Sequence, residues 1–305
     1  MKTICTLNVL FLIVAFMLPT HSQAQNKGVE HVVIIGIDGL SAEVVRENPE
    51  DFPTYNYLAN IGSSTLEMRS VLPSSSAVNW ASHLMGAGPE LHGYTTWGSK
   101  TPDLPSRVVT ENGMFPCIFW TAKQKFPESE YAVAYNWDGI GFLYDTLSVD
   151  KSCFTNTDEQ IVDTAVKYLK NQPKLSFFYF AQPDGAGHGK GWRSDDYRVM
   201  ASKVDSLAGL VIQGIKDAGM FDKTVILYIS DHGGLGTGHG GKTMAEMQVP
   251  FAIAGPGIKP NNKIEGSTMV FDTAPTVAGV LGLDRPQVWI GRPIVEAFEK
   301  PNKIK

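Results

Sequence analysis

The sequence has 305 residues, of which 43% are hydrophobic and 19% charged, with 30 glycines and 18 prolines. That is the composition of a folded, turn-rich globular chain, and it excludes disordered and collagen-like classes. The net charge of −5 comes without any lysine- or arginine-rich block, which argues against a nucleic-acid-binding surface.

The first element in chain order is a leader. Lys2 is the only charge in the first 24 residues, Val9 to Leu18 is apolar throughout, and Ser22-Gln23-Ala24 offers the small residues that a signal peptidase reads. Residues 1–24 are therefore expected to be a secretory signal peptide, leaving a single domain over 25–305 that is exported to the periplasm or secreted. The apolar run is shorter than the roughly 20 residues a membrane span needs. Cys5 precedes the run, so it does not fit a lipid-modified cysteine.

Four near-continuous apolar runs follow: His31 to Ile37, Ser176 to Ala181, Thr224 to Ser230 and Val249 to Ala254. Runs without polar alternation suit strands covered on both faces. Shorter strand-like pieces lie near Thr65 to Val71 and Tyr131 to Tyr135. Helical patterns fall between them. Thr157 to Gln160 reads as a capping box before a stripe of Ile161, Ala165, Tyr168 and Leu169. Tyr197, Ala201, Val204, Ala208, Val211 and Ile215 keep a helical period that Gly219 ends, and Asp272 to Leu283 forms a further helix. The alternation predicts an α/β fold with a mostly parallel central sheet flanked by helices on both faces. The stretch from about 95 to 152 shows no clear alternation and is expected to be a small insertion of loops and a short helix.

Ligands of open α/β sheets bind beyond the carboxyl ends of the strands. Three of the four clear strands end directly in aspartate: Asp38, Asp184 and Asp231. His188 lies four residues after Asp184, His232 adjoins Asp231, and His239 sits in the glycine-rich turn GLGTGHGG. Taken singly, such an aspartate is usually a turn former or helix cap, and such a histidine a hydrogen-bonded structural residue. Together, six oxygen and nitrogen donors suit zinc or a similar divalent metal, with manganese also compatible. They are too many for one tetrahedral site and point to two ions, as in many phosphoryl-transfer enzymes. Ser74-Ser75-Ser76 precedes a helical stretch that runs to Met85, so one of these serines is a candidate nucleophile at a helix N-terminus, where anions are favoured. A plain helix cap is the simpler role for any one of them. Export permits a disulfide between Cys117 and Cys153, and two free thiols fit equally.

With GIDGL, LPSSSAVNW, MGAGPELHGY, QPDGAGHG, SDHGGLGTGHGG, DTAPTVAGVLGL and GRPI in this order from about Val32 to Ile294, the chain resembles the alkaline phosphatase superfamily. Within it, the chain is most similar to the type I phosphodiesterase/nucleotide pyrophosphatase family. The resemblance implies an alkaline phosphatase-like fold and a nucleophile at the fourth position of P-x-x-[T/S], here Ser76. It places one metal on Asp38, Asp231, His232 and the Ser76 oxygen, and the other on Asp184, His188 and His239, the last assigned partly because no histidine follows it. His83 and His92 then read as structural. The implied reaction is a two-step in-line hydrolysis of a phosphodiester or nucleotide pyrophosphate through a phosphoserine.

The chain departs from the family pattern in several places. The nucleophile is Ser where diesterase members usually carry Thr, which keeps a phosphomonoesterase as the alternative. Val78-Asn79-Trp80 stands where P-N-H is common. Trp97 occupies the place of a phosphate-contacting Asn and becomes a candidate substrate contact, as does Lys242, for which a solvated surface role also fits. A sulfatase would need C/S-x-P-x-R, and Ser76-Ala77-Val78-Asn79 lacks both Pro and Arg. The chain lacks room for the large inserted domain of a phosphosugar mutase. A non-catalytic metal-binding member of the fold is the remaining alternative.

Overall fold

A computed structural model describes residues 28–299; the expected signal peptide lies outside them. Eight strands form one sheet: β1 His31–Ile37, β2 Gly62–Arg69, β3 Tyr131–Tyr135, β4 Lys151–Phe154, β5 Leu175–Phe180, β6 Thr224–Ile229, β7 Gln248–Ala254 and β8 Asn262–Lys263. Their spatial order is β4-β3-β5-β1-β6-β7-β2-β8. Neighbours from β4 to β6 are parallel, as is the β2–β8 pair, whereas β7 runs antiparallel to both β6 and β2. The apolar run of β7 thus reports burial rather than strand direction: Val249 to Ala254 is buried throughout.

The helices are α1 Ala42–Glu47, α2 Pro53–Ile61, α3 Ser76–Met85, α4 Pro89–His92, α5 Ile118–Lys125, α6 Asp158–Leu169, α7 Asp184–Lys190, α8 Asp195–Asp217, α9 Met244–Met247 and α10 Thr273–Leu281. Alternate residues of β1 face opposite layers. Val32 and Ile34 pack in a core that includes apolar residues of α3, α5 and α10. Val33, Ile35 and Ile37 pack in a second core with those of α1, α2, α6 and α8. Each fully buried aliphatic side chain of these cores contributes about 1.5–3 kcal/mol, so β1 is fixed from both sides. None of the helices among the described residues is long and apolar enough to cross a membrane.

Local signals act much as the sequence suggests. Thr157 accepts from the Gln160 amide at 3.3 Å to cap α6, but the Gln160 side chain reaches the Asn156 amide instead of closing the box on Thr157. The 95–152 segment supplies the expected short helix as α5 and the strand-like piece at Tyr131–Tyr135 as β3, and it also begins the edge strand β4. β4 escapes a periodicity reading because it is short and largely exposed, with no apolar alternation. Cys117 is a buried free thiol and Cys153 a half-buried one, so the two are not bridged.

Candidate metal centre and nucleophile

The register explains why the three aspartates meet. β1 lies between β5 and β6, with Ile37 opposite Phe180 and Gly36 opposite Ile229, so the three strands end level. Asp38, Asp184 and Asp231 follow those ends within a few residues. Gly39 turns the chain at φ +70, and a Cβ there would lie 2.8 Å from the Cα of Asp184. Only glycine lets the two strand ends come this close.

Each carboxylate is held so that one oxygen is left bare. Asp38 Oδ2 accepts from the Trp80 indole at 2.8 Å and the Tyr179 hydroxyl at 2.6 Å, while Oδ1 has no partner. Asp231 Oδ1 accepts from the Gly39 amide at 3.0 Å, while Oδ2 has none. Asp184 Oδ1 is likewise buried without a hydrogen bond. Other buried aspartates are not arranged this way. Both oxygens of Asp205 accept, from the amides of Thr54 and Tyr55 and the Tyr228 hydroxyl. Both oxygens of Asp272 accept from the Met269 and Arg292 amides.

The histidines complete the pattern. Nδ1 of His188 meets the Thr237 carbonyl at 2.9 Å, that of His232 meets Gly233 at 2.8 Å, and that of His239 meets Ser74 at 3.1 Å. A carbonyl can only accept, so each Nδ1 carries the proton and each Nε2 presents a lone pair. His232 Nε2 lies 3.2 Å from Asp231 Oδ2, 3.6 Å from Asp38 Oδ1 and 3.1 Å from the Ser76 hydroxyl. The His232 and His239 rings stack at 3.8 Å.

Two donor groups result, each with its donor atoms within 4.8 Å of one another: Asp38–Asp231–His232 and Asp184–His232–His239. The first coincides with the set expected beside Ser76. In the second, Asp184 and His239 come together with His232, while His188 sits at the rim with Nε2 3.6 Å from the other Asp184 oxygen. Orphaned buried carboxylate oxygens facing bare imidazole nitrogens fit a divalent cation, because only a cation satisfies both.

Without a cation the cluster resists ionisation. Burial, followed by repulsion from Asp38, raises the Asp184 carboxyl to about 8. Burial pushes Asp38 up against the pull of the Tyr179 and Trp80 hydrogen bonds. Asp231 rises well above its usual range through burial and then the Asp38 charge. Burial lowers His232 and His239 to about 4, so both imidazoles are neutral at neutral pH, the state in which an imidazole can bind a metal.

Ser76 is the first residue of α3, after Ser75 in extended conformation, and its hydroxyl donates to His232 Nε2. The turn before it is clamped by Asn79, whose Oδ1 accepts from the Val71 amide at 2.7 Å and whose Nδ2 donates to the Pro73 and Ser75 carbonyls at 3.1 and 3.0 Å. Ser74 ties two loops together: its hydroxyl donates to the Gly241 carbonyl at 2.7 Å and its own carbonyl receives His239, locking the glycine-rich turn onto the loop before Ser76. His83 and His92 are buried and hydrogen-bonded, His83 to Thr273 and the Ser230 carbonyl, His92 to Ser82 and the Tyr94 amide.

A cleft of about 810 Å³ opens over the cluster, lined by Asp38, Ser76, Asp184, His188 and His239 and walled by Trp97, Trp137 and Tyr179. Trp97 is 65% exposed, and its carbonyl accepts from the Ala77 amide at 3.1 Å, so its loop is tied to α3. Lys242 is exposed and does not belong to the lining. Asn136 and Trp137 were missed in the sequence. They follow β3 directly, so the rule that places Asp38, Asp184 and Asp231 would have found them.

A family model for type I phosphodiesterase / nucleotide pyrophosphatase matches residues 32–246, which includes every donor of the cluster. The chain belongs to the type I phosphodiesterase/nucleotide pyrophosphatase family. It is 24% identical over 213 residues to rat ectonucleotide pyrophosphatase/phosphodiesterase family member 1, covering 66% of this chain and 24% of the relative. The chain thus spans about a quarter of the length of that relative. Among solved structures, a 2-O glycosaminoglycan sulfatase, BT1596, superposes with a TM-score of 0.70 at 17% identity, covering 87% of this chain and 73% of the other. An inactive murine ectonucleotide pyrophosphatase/phosphodiesterase 5 in complex with AMP superposes with a TM-score of 0.68 at 15% identity, covering 84% and 96%. The fold is that of the alkaline phosphatase superfamily, and family members depend on metal.

Proposed function

We propose that the protein is an exported two-metal hydrolase that cleaves phosphodiester or nucleotide pyrophosphate bonds through a phosphoserine at Ser76. The observation that carries this is the Ser76 hydroxyl, 3.1 Å from His232 Nε2 at the start of α3, facing aspartates with bare inner oxygens. Asp38, Asp231 and His232 would hold one ion beside Ser76. Asp184 and His239, with His188 at the rim, would hold the other. Zinc suits this donor mixture, and manganese is compatible with it. Bound ions would supply positive charge that favours the Ser76 alkoxide and offsets charge developing on the phosphoryl oxygens.

The protein's own groups supply alignment. The α3 N-terminus favours an anion at Ser76, and the Asn79 clamp fixes the approach of its oxygen. Ser76 Oγ forms a bond to phosphorus as the bond to the leaving oxygen breaks, and the leaving alkoxide takes up a proton. Water then attacks the phosphoserine, its oxygen remaining on the product phosphate and its proton returning to Ser76. Tyr179 and Trp80 keep Asp38 oriented throughout.

The test is paired kcat/KM values for p-nitrophenyl phosphate and bis-p-nitrophenyl phosphate on zinc-loaded protein, with Ser76→Ala as control. A preference for the diester that is lost in Ser76→Ala supports the proposal. A preference for the monoester moves the protein to the phosphomonoesterase reading, which serine in place of the family's usual threonine favours. Turnover that survives Ser76→Ala rejects the nucleophile.

A further inference from the structure

A second cleft, of about 980 Å³, shares no lining residue with the one over the metal cluster. Three pieces of chain wall it: Arg107 and Val108, α5 with Pro116 before it, and the loop from Asp284 to Ile290. Hydrogen bonds set these walls. The Arg107 amide donates to the Leu91 carbonyl at 2.8 Å and the Ser106 hydroxyl to the His92 carbonyl at 2.9 Å, which ties the first wall to α4. The Trp289 indole donates to the Pro116 carbonyl at 2.8 Å and the Gly291 amide to the Gly86 carbonyl at 3.0 Å, which ties the third wall to the approach to α5 and the end of α3. A Cβ at Gly86 would fall 2.7 Å from the Trp289 ring, so glycine there seats the anchor. The volume is that of a ligand pocket, for which about 300–1,000 Å³ is usual.

The cleft reverses the charge of the chain around it. Its lining carries Arg107, Lys125 and Arg285 against Asp284 alone, on a chain whose net charge is −5. Glu111 stands at the edge, where it accepts from the Trp120 indole at 3.0 Å, so the surplus is one positive charge with Glu111 counted and two without it. No carboxylate among the described residues pairs with the Arg107 guanidinium. Lys125 donates to the Gly282 carbonyl, a neutral acceptor that leaves its charge uncompensated. Between these cations the walls are apolar, with Val108 39% and Ile290 48% exposed and the Trp120 ring half-buried. Water is a poor partner for such walls, and an anion is the complement of the cations.

We propose that this cleft is a binding site for a small aromatic monoanion, a carboxylate or sulfonate on a flat ring system. The anionic group meets Arg107, and the ring lies among Trp120, Pro116 and Val288. Indole and guanidinium both stack on a flat ring, and an acyl chain gains nothing from either. The site does not depend on chemistry at Ser76.

The experiment is calorimetric titration of the zinc-loaded protein with naphthalene-2-sulfonate and with its neutral counterpart, naphthalene-2-sulfonamide. The sulfonate should bind about tenfold or more tightly than the sulfonamide, as expected for one charge-assisted contact. Arg107→Gln, at an exposed and unpaired position, should erase that preference, and Arg107→Lys should keep part of it. Trp120→Leu should weaken both ligands, whereas Trp97→Leu, in the other cleft, should change neither. Equal binding of the two ligands, or sulfonate binding that survives Arg107→Gln, overturns the proposal. So does a loss in Trp97→Leu, which would move the ligand to the metal cleft. Tighter binding of dodecanoate than of the sulfonate overturns the aromatic class. A dimer in sedimentation that Ile290→Glu separates would assign the face to a second copy of the chain, and overturns the proposal as well.

Discussion

Tyr179→Phe removes one hydroxyl from the support of the candidate metal centre and little else. The ring is buried and packed against Trp80 at 5.3 Å and Phe177 at 6.2 Å, contacts that phenylalanine keeps. What is lost is the 2.6 Å bond to Asp38 Oδ2, leaving the Trp80 indole as the donor to that oxygen. A buried hydrogen bond to a charged acceptor contributes about 1.5–3 kcal/mol, and loss of a ligand's supporting partner typically costs about 10- to 100-fold in metal affinity. The bond should matter less in metal-free protein, where burial keeps the Asp38 carboxyl raised towards its neutral form. There the expected loss is about 1 kcal/mol of unfolding free energy. Competition of the protein with a chromogenic zinc chelator gives the affinity, and denaturant unfolding in EDTA gives the metal-free stability. Unchanged zinc affinity with a large loss of metal-free stability would refute the reasoning, because it would make Tyr179 a packing residue rather than a support for a ligand.

Two further outcomes follow from the same geometry. Between about pH 4 and 6.5 the depressed imidazoles of His232 and His239 stabilise the metal-free protein as pH rises, opposing the raised carboxyls; above pH 6.5 only the carboxyls act. The folded state then holds the Asp184 proton up to about pH 8 while the unfolded chain has already lost its own, so metal-free stability should fall from pH 6.5 to 8, by about 1.4 kcal/mol per pH unit for each such carboxyl. Metal binding removes that proton and strengthens over the same interval, so the drop in melting temperature on adding chelator should be larger at pH 8 than at pH 6.5; a drop independent of pH would contradict this. Asn79→Ala frees the 71–75 loop and strands a buried amide and carbonyls, which should cost about 2–4 kcal/mol of stability. It should also lower kcat more than it raises KM, and a KM effect alone would show that the clamp does not align Ser76.

The aspartates were legible because chemistry and topology coincide: an apolar run ending in Asp marks both a buried strand and the side of the sheet where ligands gather. Asp205 shows the limit of that reading. It is as buried as Asp38, but it serves the start of α2 by accepting the Thr54 and Tyr55 amides, and nothing local in its helix distinguishes the two roles. The division of donors was less accessible, since it depends on where His188 and His239 point once the glycine-rich turn closes on Ser74. Asn79 and Ser74 look like ordinary members of a loop and a helix; their value lies in hydrogen bonds to residues that only folding brings near. The direction of β7 was not legible for a physical reason as well, because a strand buried on both faces is apolar whichever way it runs.

The proposed hydrolysis turns on a covalent step at Ser76. Acid-quenching the zinc-loaded protein during turnover of bis-p-nitrophenyl phosphate, followed by peptide mass mapping, tests it most directly. An aryl-phosphoryl adduct is expected on Ser76 in the peptide that spans the start of α3, absent from Ser76→Ala. Turnover with no adduct at Ser76, or with the adduct on Ser74 or Ser75, would contradict it.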